Sequence, residues 1–168
     1  MTNEEIWVML RRGGLSAEAQ GPGAGENEGG PQLVGRYHGM LDPAGADRLG
    51  VVLAEKARTV GPNVIVVGEG ANDLVLGFVV ARELGLPLVR VLNLEGLVGA
   101  SGVLPVHPRA AFVADRVHKI EFVTAVRNLM EREGGELAAV ASLVVSNVSL
   151  PVSLLGLVPI DAGLTGPR

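Results

Sequence analysis

Ala110-Ala111-Phe112-Val113-Ala114-Asp115-Arg116-Val117-His118-Lys119-Ile120-Glu121-Phe122 joins an apolar run to a polar break and then to an amphipathic stretch that reaches Glu133. Gly134-Gly135 closes that stretch, and Leu137 to Val145 is apolar again. The order is strand, turn, helix, strand. A strand-to-helix turn that receives oxyanions is rich in Gly, Ser and Thr, so that backbone N–H groups approach the oxygens. This turn carries His, Lys, Ile, Glu and Phe instead. The architecture of such a site is present while its usual chemistry is missing.

The same alternation extends on both sides. Upstream, Asn63 to Val67 is β-branched and apolar, which predicts a buried strand. A loop over Gly68–Asn72 leads into a helix from about Asp73 to Leu84. The helix interior, Leu74 to Ala81, is apolar nearly all round and is expected to be sandwiched. Gly85 stops it, and Pro87 to Leu92 begins another strand. Asn93 to Pro108, interrupted by Gly and Pro, reads as an irregular excursion. Earlier still, Asp42-Pro43 pairs an N-cap with proline at the first helical position, and Leu49, Val52, Leu53 and Val60 give the helix that follows one apolar face. Thr2 and Glu5 form a capping box for a helix from about Asn3 to Arg12, ended by Gly13-Gly14. Residues 15–32, LSAEAQGPGAGENEGGPQ, are too poor in hydrophobes to pack and are expected to form a mobile Gly-rich loop, with an extended piece near Val34 to His38 after it. Val152 to Val158 is expected to add an edge strand or close part of the core.

Strands alternating with helices imply right-handed crossovers and a parallel sheet, hence a single α/β domain over 1–168. Ligands in such sheets bind where loops leave the carboxyl ends of the strands. That places Gly68–Asp73, Asn93–Pro108 and Ala114–Lys119 around one cleft.

Composition narrows the function classes. Apolar residues make up 48% of the 168 and aromatics only 3%, so the core is built from Val, Leu and Ala, as in sheets buried on both faces. Fourteen basic against 18 acidic residues leave a net charge of −4 with no basic cluster, which argues against nucleic acid or an anionic membrane as partner. The absence of Cys excludes disulfides, zinc–thiolate sites and a thiol nucleophile. An acidic N-terminus without a signal peptide, and no apolar run of about 18 residues, predict a soluble, cytoplasmic chain. His38 and His107 lie far apart with no acidic spacing that makes a metal site. No Ser-His-Asp assembly is visible among the serines of 142–153.

Two segments carry a resemblance. Asn63 to Leu92, NVIVVGEGANDLVLGFVVARELGLPLVRVL, resembles the pyrophosphate-loop region of type I phosphoribosyltransferases, especially orotate phosphoribosyltransferase. Members commonly show a strand, a Gly-containing loop, a helix and Leu-Gly-Leu-Pro, here Leu84-Gly85-Leu86-Pro87. Ala110 to Val145 aligns without a gap to the next unit, which in the family holds the phosphoribosyl pyrophosphate motif. Together the likeness spans about half the chain. It implies a phosphoribosyltransferase-like parallel sheet flanked by helices, with a small hood from the terminal segments, and a homodimer.

The family motif runs as four apolar residues, two acidic ones, two mostly apolar ones and a Thr-Thr-Gly-Gly-Thr-like loop. In this chain the acidic pair becomes Ala114-Asp115, and the loop becomes His118-Lys119-Ile120-Glu121-Phe122. By the resemblance, Asp115 would contact ribose hydroxyls and Gly70, Ala71, Asn72 and Asp73 would face pyrophosphate; Glu69 flanks the same cleft, and His118 with Lys119 would bind an anion there. Ile120 puts a β-branched side chain where backbone must approach phosphate. Glu121 beside a dianion would cost roughly 4 kcal/mol per charge pair at about 4 Å and an effective dielectric near 20. Asp73 is expected as the N-cap of its helix, which would place a carboxylate where an anion would bind. The excursion over 93–108 offers no Lys, and only Arg90 and Arg109 stand at its margins.

Each of these residues also has a plainer reading: Asp115 as a turn aspartate, Glu69 and Asp73 as turn and capping residues, and His118 and Lys119 as a solvated loop; Trp7 and Tyr37, the lone members of their types and candidates for a dimer contact or a hood over the cleft, read more plainly as core. The resemblance thus implies a phosphoribosyltransferase-like protein without catalysis that acts as a nucleotide-binding or regulatory, oligomeric subunit. Its ligand would be a nucleotide or phosphorylated small molecule, and no cofactor is expected. The alternatives are an active orotate- or purine-type transferase, which would use Mg2+, and a purely structural role.

Overall fold

The computed structural model describes residues 1–14, 16–18, 32–34, 42–94, 97–117, 120–145, 150 and 152–159. The expectations for Tyr37, His38, His118 and Lys119 lie outside them.

Five parallel strands form the body of the sheet. They are β3 (Val64–Val67), β4 (Leu88–Leu94), β6 (Arg109–Arg116), β7 (Glu136–Val145) and β8 (Ser153–Pro159). An antiparallel strand, β5 (Leu97–Ser101), pairs with β4 at one edge, and the spatial order is β5-β4-β3-β6-β7-β8. The helices are α1 (Asn3–Arg12), α2 (Pro43–Arg58), α3 (Ala71–Leu84) and α4 (Ile120–Arg132). A separate antiparallel pair joins β1 (Ser16–Glu18) to β2 (Gln32–Val34). Both ends of the expected mobile loop are therefore strand, because pairing between its ends supplies the backbone partners that its own sequence lacks.

Side chains alternate between two apolar layers, as the two-residue period of a strand requires. Ile65, Val67, Ala111 and Val113 face a layer with α1, α2 and α3. Val64, Val66, Ala110, Phe112 and Ala114 face the opposite layer, with Val123, Val126, Leu129 and Met130 of α4. Trp7 of α1 packs against the first layer, the core role that was the plainer reading. α1 buries Ile6, Met9 and Leu10 and contacts α2 and β8, so it belongs to the scaffold. Of the terminal segments expected to form a hood, 19–31, 35–41 and 160–168 lie outside the described residues.

Asp42 caps α2 through a bond from Gly45 N–H at 3.0 Å. Gly85 ends α3 in the left-handed region, with φ 67°. Two expectations fail here. The excursion over 93–108 contains β5, because pairing with β4 outweighs the low strand propensity of its glycines. α3 is not sandwiched on all sides, since Phe78 is 59% exposed and Leu74 also reaches solvent. No helix among the described residues is long and apolar enough to cross a membrane.

The capping box of α1 has a measurable consequence. Glu5 accepts the Thr2 backbone N–H at 2.7 Å, and Thr2 Oγ1 accepts Glu5 N–H at 3.2 Å. The Thr2 backbone N–H, and secondarily the Thr2 hydroxyl, hold the Glu5 carboxyl below its ordinary 4.5. A depressed carboxyl contributes stability that is complete above the ordinary value and lost as pH falls through the lowered one. Thermal melts of wild type and Glu5→Gln are therefore expected to differ at neutral pH and to converge in acid.

Candidate functional site

Counting only the parallel strands, the order β4-β3-β6-β7-β8 reads 2-1-3-4-5 in chain order. In a doubly wound sheet the ligand crevice lies where this order reverses, between the first and third strands. Those are β3 and β6. α3 leaves the end of β3 toward one layer and α4 leaves the end of β6 toward the other, so the loops diverge at that point. The Gly68–Asp73 loop and the Ala114–Arg116 end are brought together there, as expected from the sequence.

Asp115, Asn72 and Asp73 meet across the crevice. Asp73 Oδ1 accepts the Asp115 backbone N–H at 2.8 Å, and Asn72 Nδ2 donates to Asp115 Oδ2 at 3.4 Å. Asp73 is not the N-cap of α3. The helix begins at Ala71 behind Gly70, which offers no side-chain cap, and Asp73 is the third helical residue. One oxygen of its carboxylate, Oδ1, reaches across to the neighbouring strand, while Oδ2 stays beside Gly70 at the helix head. Glu69 turns toward β4, where its Oε1 accepts Asn93 N–H at 3.2 Å. Ala71 opens α3 and is exposed.

The excursion contributes less to the crevice than expected. Its start, Asn93, reaches Glu69, but β5 then turns the chain back along the sheet. His107 lies at the opposite end, with its carbonyl accepting from Asn63 Nδ2 at 3.2 Å and Nδ1 2.9 Å from Gly134 O. Arg109 stands there too, bonded through Nε to Val60 O at 2.8 Å and ion-paired with Glu136. Neither can serve at the carboxyl end. Arg90 is exposed on β4.

Two contributors had no motif to reveal them. Ser142 on β7 is fully buried, and its Oγ donates to Val144 O at 2.8 Å and lies 3.3 Å from Asp115 O. It ties the end of β6 to β7 behind Asp115. Phe122, in the first turn of α4, lies edge-on to Phe112 with ring centroids 5.8 Å apart. Its ring also approaches Gly68, where an added Cβ would meet it at 3.4 Å. A third feature is Arg116, whose Nη2 is buried with no hydrogen-bond partner among the described residues. The described residues contain no group of three or more His, Asp or Glu arranged to hold a metal ion.

No family model matches the sequence, and no curated protein matches it. Solved structures do match in three dimensions. Adenine phosphoribosyltransferase from Thermoanaerobacter pseudethanolicus superposes with a TM-score of 0.64 at 17% identity, over 94% of this chain and 99% of that one. The fold is that of the type I phosphoribosyltransferases. Orotate phosphoribosyltransferase from Mycobacterium tuberculosis, solved with inorganic phosphate, gives a TM-score of 0.64 at 15% identity over 95% and 97% of the two chains. UMP synthase from Leishmania donovani gives 0.70 at 13% identity, over 94% of this chain and 36% of the other. At such identities the phosphoribosyltransferase fold is shared, while activity is a matter for the residues of the crevice.

Proposed function

We propose that this protein keeps the phosphoribosyltransferase fold without the transfer reaction, and that it acts as a nucleotide-binding or regulatory subunit in a homodimer. Its ligand is a nucleotide or related phosphorylated small molecule, with Asp115 facing the sugar. The observation that carries this reading is the start of α4. Helix begins at Ile120, so the last three of the five positions aligned with the phosphate loop form a helical turn. Its Phe122 packs toward Gly68 and Phe112. A loop that wraps a phosphate needs free backbone N–H groups and little side-chain bulk. Ile120, Glu121 and Phe122 offer bulk and a negative charge.

The test is to incubate the protein with phosphoribosyl pyrophosphate, Mg2+ and either orotate or adenine, and to follow nucleotide and pyrophosphate by chromatography. Calorimetry with a nucleotide panel and light scattering accompany it. The expected result is no product, heat from at least one nucleotide, and a dimer. Product from either base would overturn the non-catalytic reading. A dimer that binds none of the nucleotides would instead favour a structural role.

A further inference from the structure

We propose that the Asp73 carboxylate is the resident anion of the crevice, occupying from within the chain the seat at the head of α3 that an external oxyanion would need. The inference rests on the reading of the crevice as the ligand site, and it names what that site excludes: a ligand that lays a polyphosphate over the loop at 68–73.

A Gly-rich loop that opens a helix at a switch point is built to let something negative approach the backbone. Here the approaching group is the chain's own. A Cβ at Gly70 would lie 2.7 Å from Asp73 Oδ2 and 3.2 Å from its Cγ, and one at Gly68 would lie 3.4 Å from the same Oδ2. Gly70 makes room for this carboxylate, and Gly68 lies at contact distance from it. Its other oxygen, Oδ1, accepts the Asp115 backbone N–H at 2.8 Å from the far side of the crevice. The adjacent residue, Asn72, donates to the Asp115 carboxylate. The first turn of α3 thus engages both the backbone and the side chain of Asp115. The glycine-lined space, the dipole of a 14-residue helix and a donor on the opposite strand converge on one carboxylate. Phe122 packs toward the same loop at Gly68 from the α4 side.

An external anion would have to displace Asp73 and then sit beside its charge. Removing the charge, or the whole side chain, therefore creates an anion site. Inorganic pyrophosphate without metal is the probe, titrated by calorimetry at low ionic strength into wild type, Asp73→Ala and Asp73→Asn, with circular dichroism to confirm folding. Asp73→Ala is expected to bind pyrophosphate at least tenfold more tightly than wild type, and the isosteric Asp73→Asn more weakly than Asp73→Ala but above wild type. The Asp115 amide is expected to exchange at least tenfold faster in Asp73→Ala. The proposal is overturned if wild type binds pyrophosphate as tightly as the variants, if neither folded variant gains affinity, or if Asp115 exchange is unchanged. Should Asp73→Ala fail to fold, the affinity of Asp73→Asn decides alone. These outcomes are separable from the reading above: product from a nucleobase in wild type refutes that reading, whereas an inactive wild type whose variants gain nothing refutes only the role of Asp73.

Discussion

Phe112→Ala is expected to lower the unfolding free energy by about 3–5 kcal/mol, the range for removing a buried aromatic from a core. Phe112 is 4% exposed at the centre of β6, where it packs with the α4 layer and meets Phe122 edge-on. The substitution removes the apolar contact and leaves a cavity between two elements that are held by other contacts, so collapse is incomplete. A domain of this size has about 5–15 kcal/mol in total, which makes the loss a large fraction of it. At about 2–4 °C per kcal/mol, the melting temperature is expected to fall by roughly 10 °C. Guanidinium unfolding checks this: the midpoint should drop with little change in slope. A loss below about 1 kcal/mol would mean that the α4 layer is loosely packed.

Gly135→Ala is the second large effect, expected at about 3 kcal/mol, the upper range for overpacking. An added Cβ at Gly135 would lie 2.6 Å from Pro108 N and Cδ, and closer still to Pro108 O. The obstacle is backbone and a closed ring, neither of which can rotate away. Pro108 O also accepts Glu136 N–H at 2.7 Å, so relief would break the junction that starts β7. Arg109 N–H bonds to Asn63 Oδ1 at 2.7 Å beside it and holds the segment in place. The neighbouring Gly134 provides the contrast. Its φ is 73° and the nearest atom to an added Cβ is His107 Nδ1 at 3.4 Å, so Gly134→Ala meets only left-handed backbone strain of about 1–2 kcal/mol. Paired denaturation curves should rank the two in that order.

Much of the fold is legible in local chemistry. The β-branched run before Gly68, the Asp42-Pro43 start, the Thr2–Glu5 box and the stop at Gly85 each act within a few residues, and each element stands close to where these signals place it. What local chemistry cannot convey is the identity of distant partners. Leu97–Ser101 becomes a strand because β4 lies beside it, although its own residues argue for a loop. Asp73 looks like the N-cap because caps are local, yet it is the third helical residue and its Oδ1 accepts a backbone N–H 42 positions away. Phe78 lies in an apolar stretch and still faces outward, because hydrophobicity does not specify how many sides of a helix are covered. The convergence of Asn72, Asp73 and Asp115 follows from the βαβ order. Ser142 and the inward Phe122 do not, since their roles depend on how strand ends and helix starts meet in space.

The alternation of β3 has a consequence for how this molecule can change. Its four residues divide two and two, Ile65 and Val67 toward α1, α2 and α3, Val64 and Val66 toward α4. The sheet therefore insulates one helical layer from the other. The packing disturbed by a substitution at Phe122, Val123 or Val126 stays on the α4 side, while the opposite layer keeps its own. A lineage could rewrite the start of α4 one tolerated step at a time, without reopening the architecture that carries it.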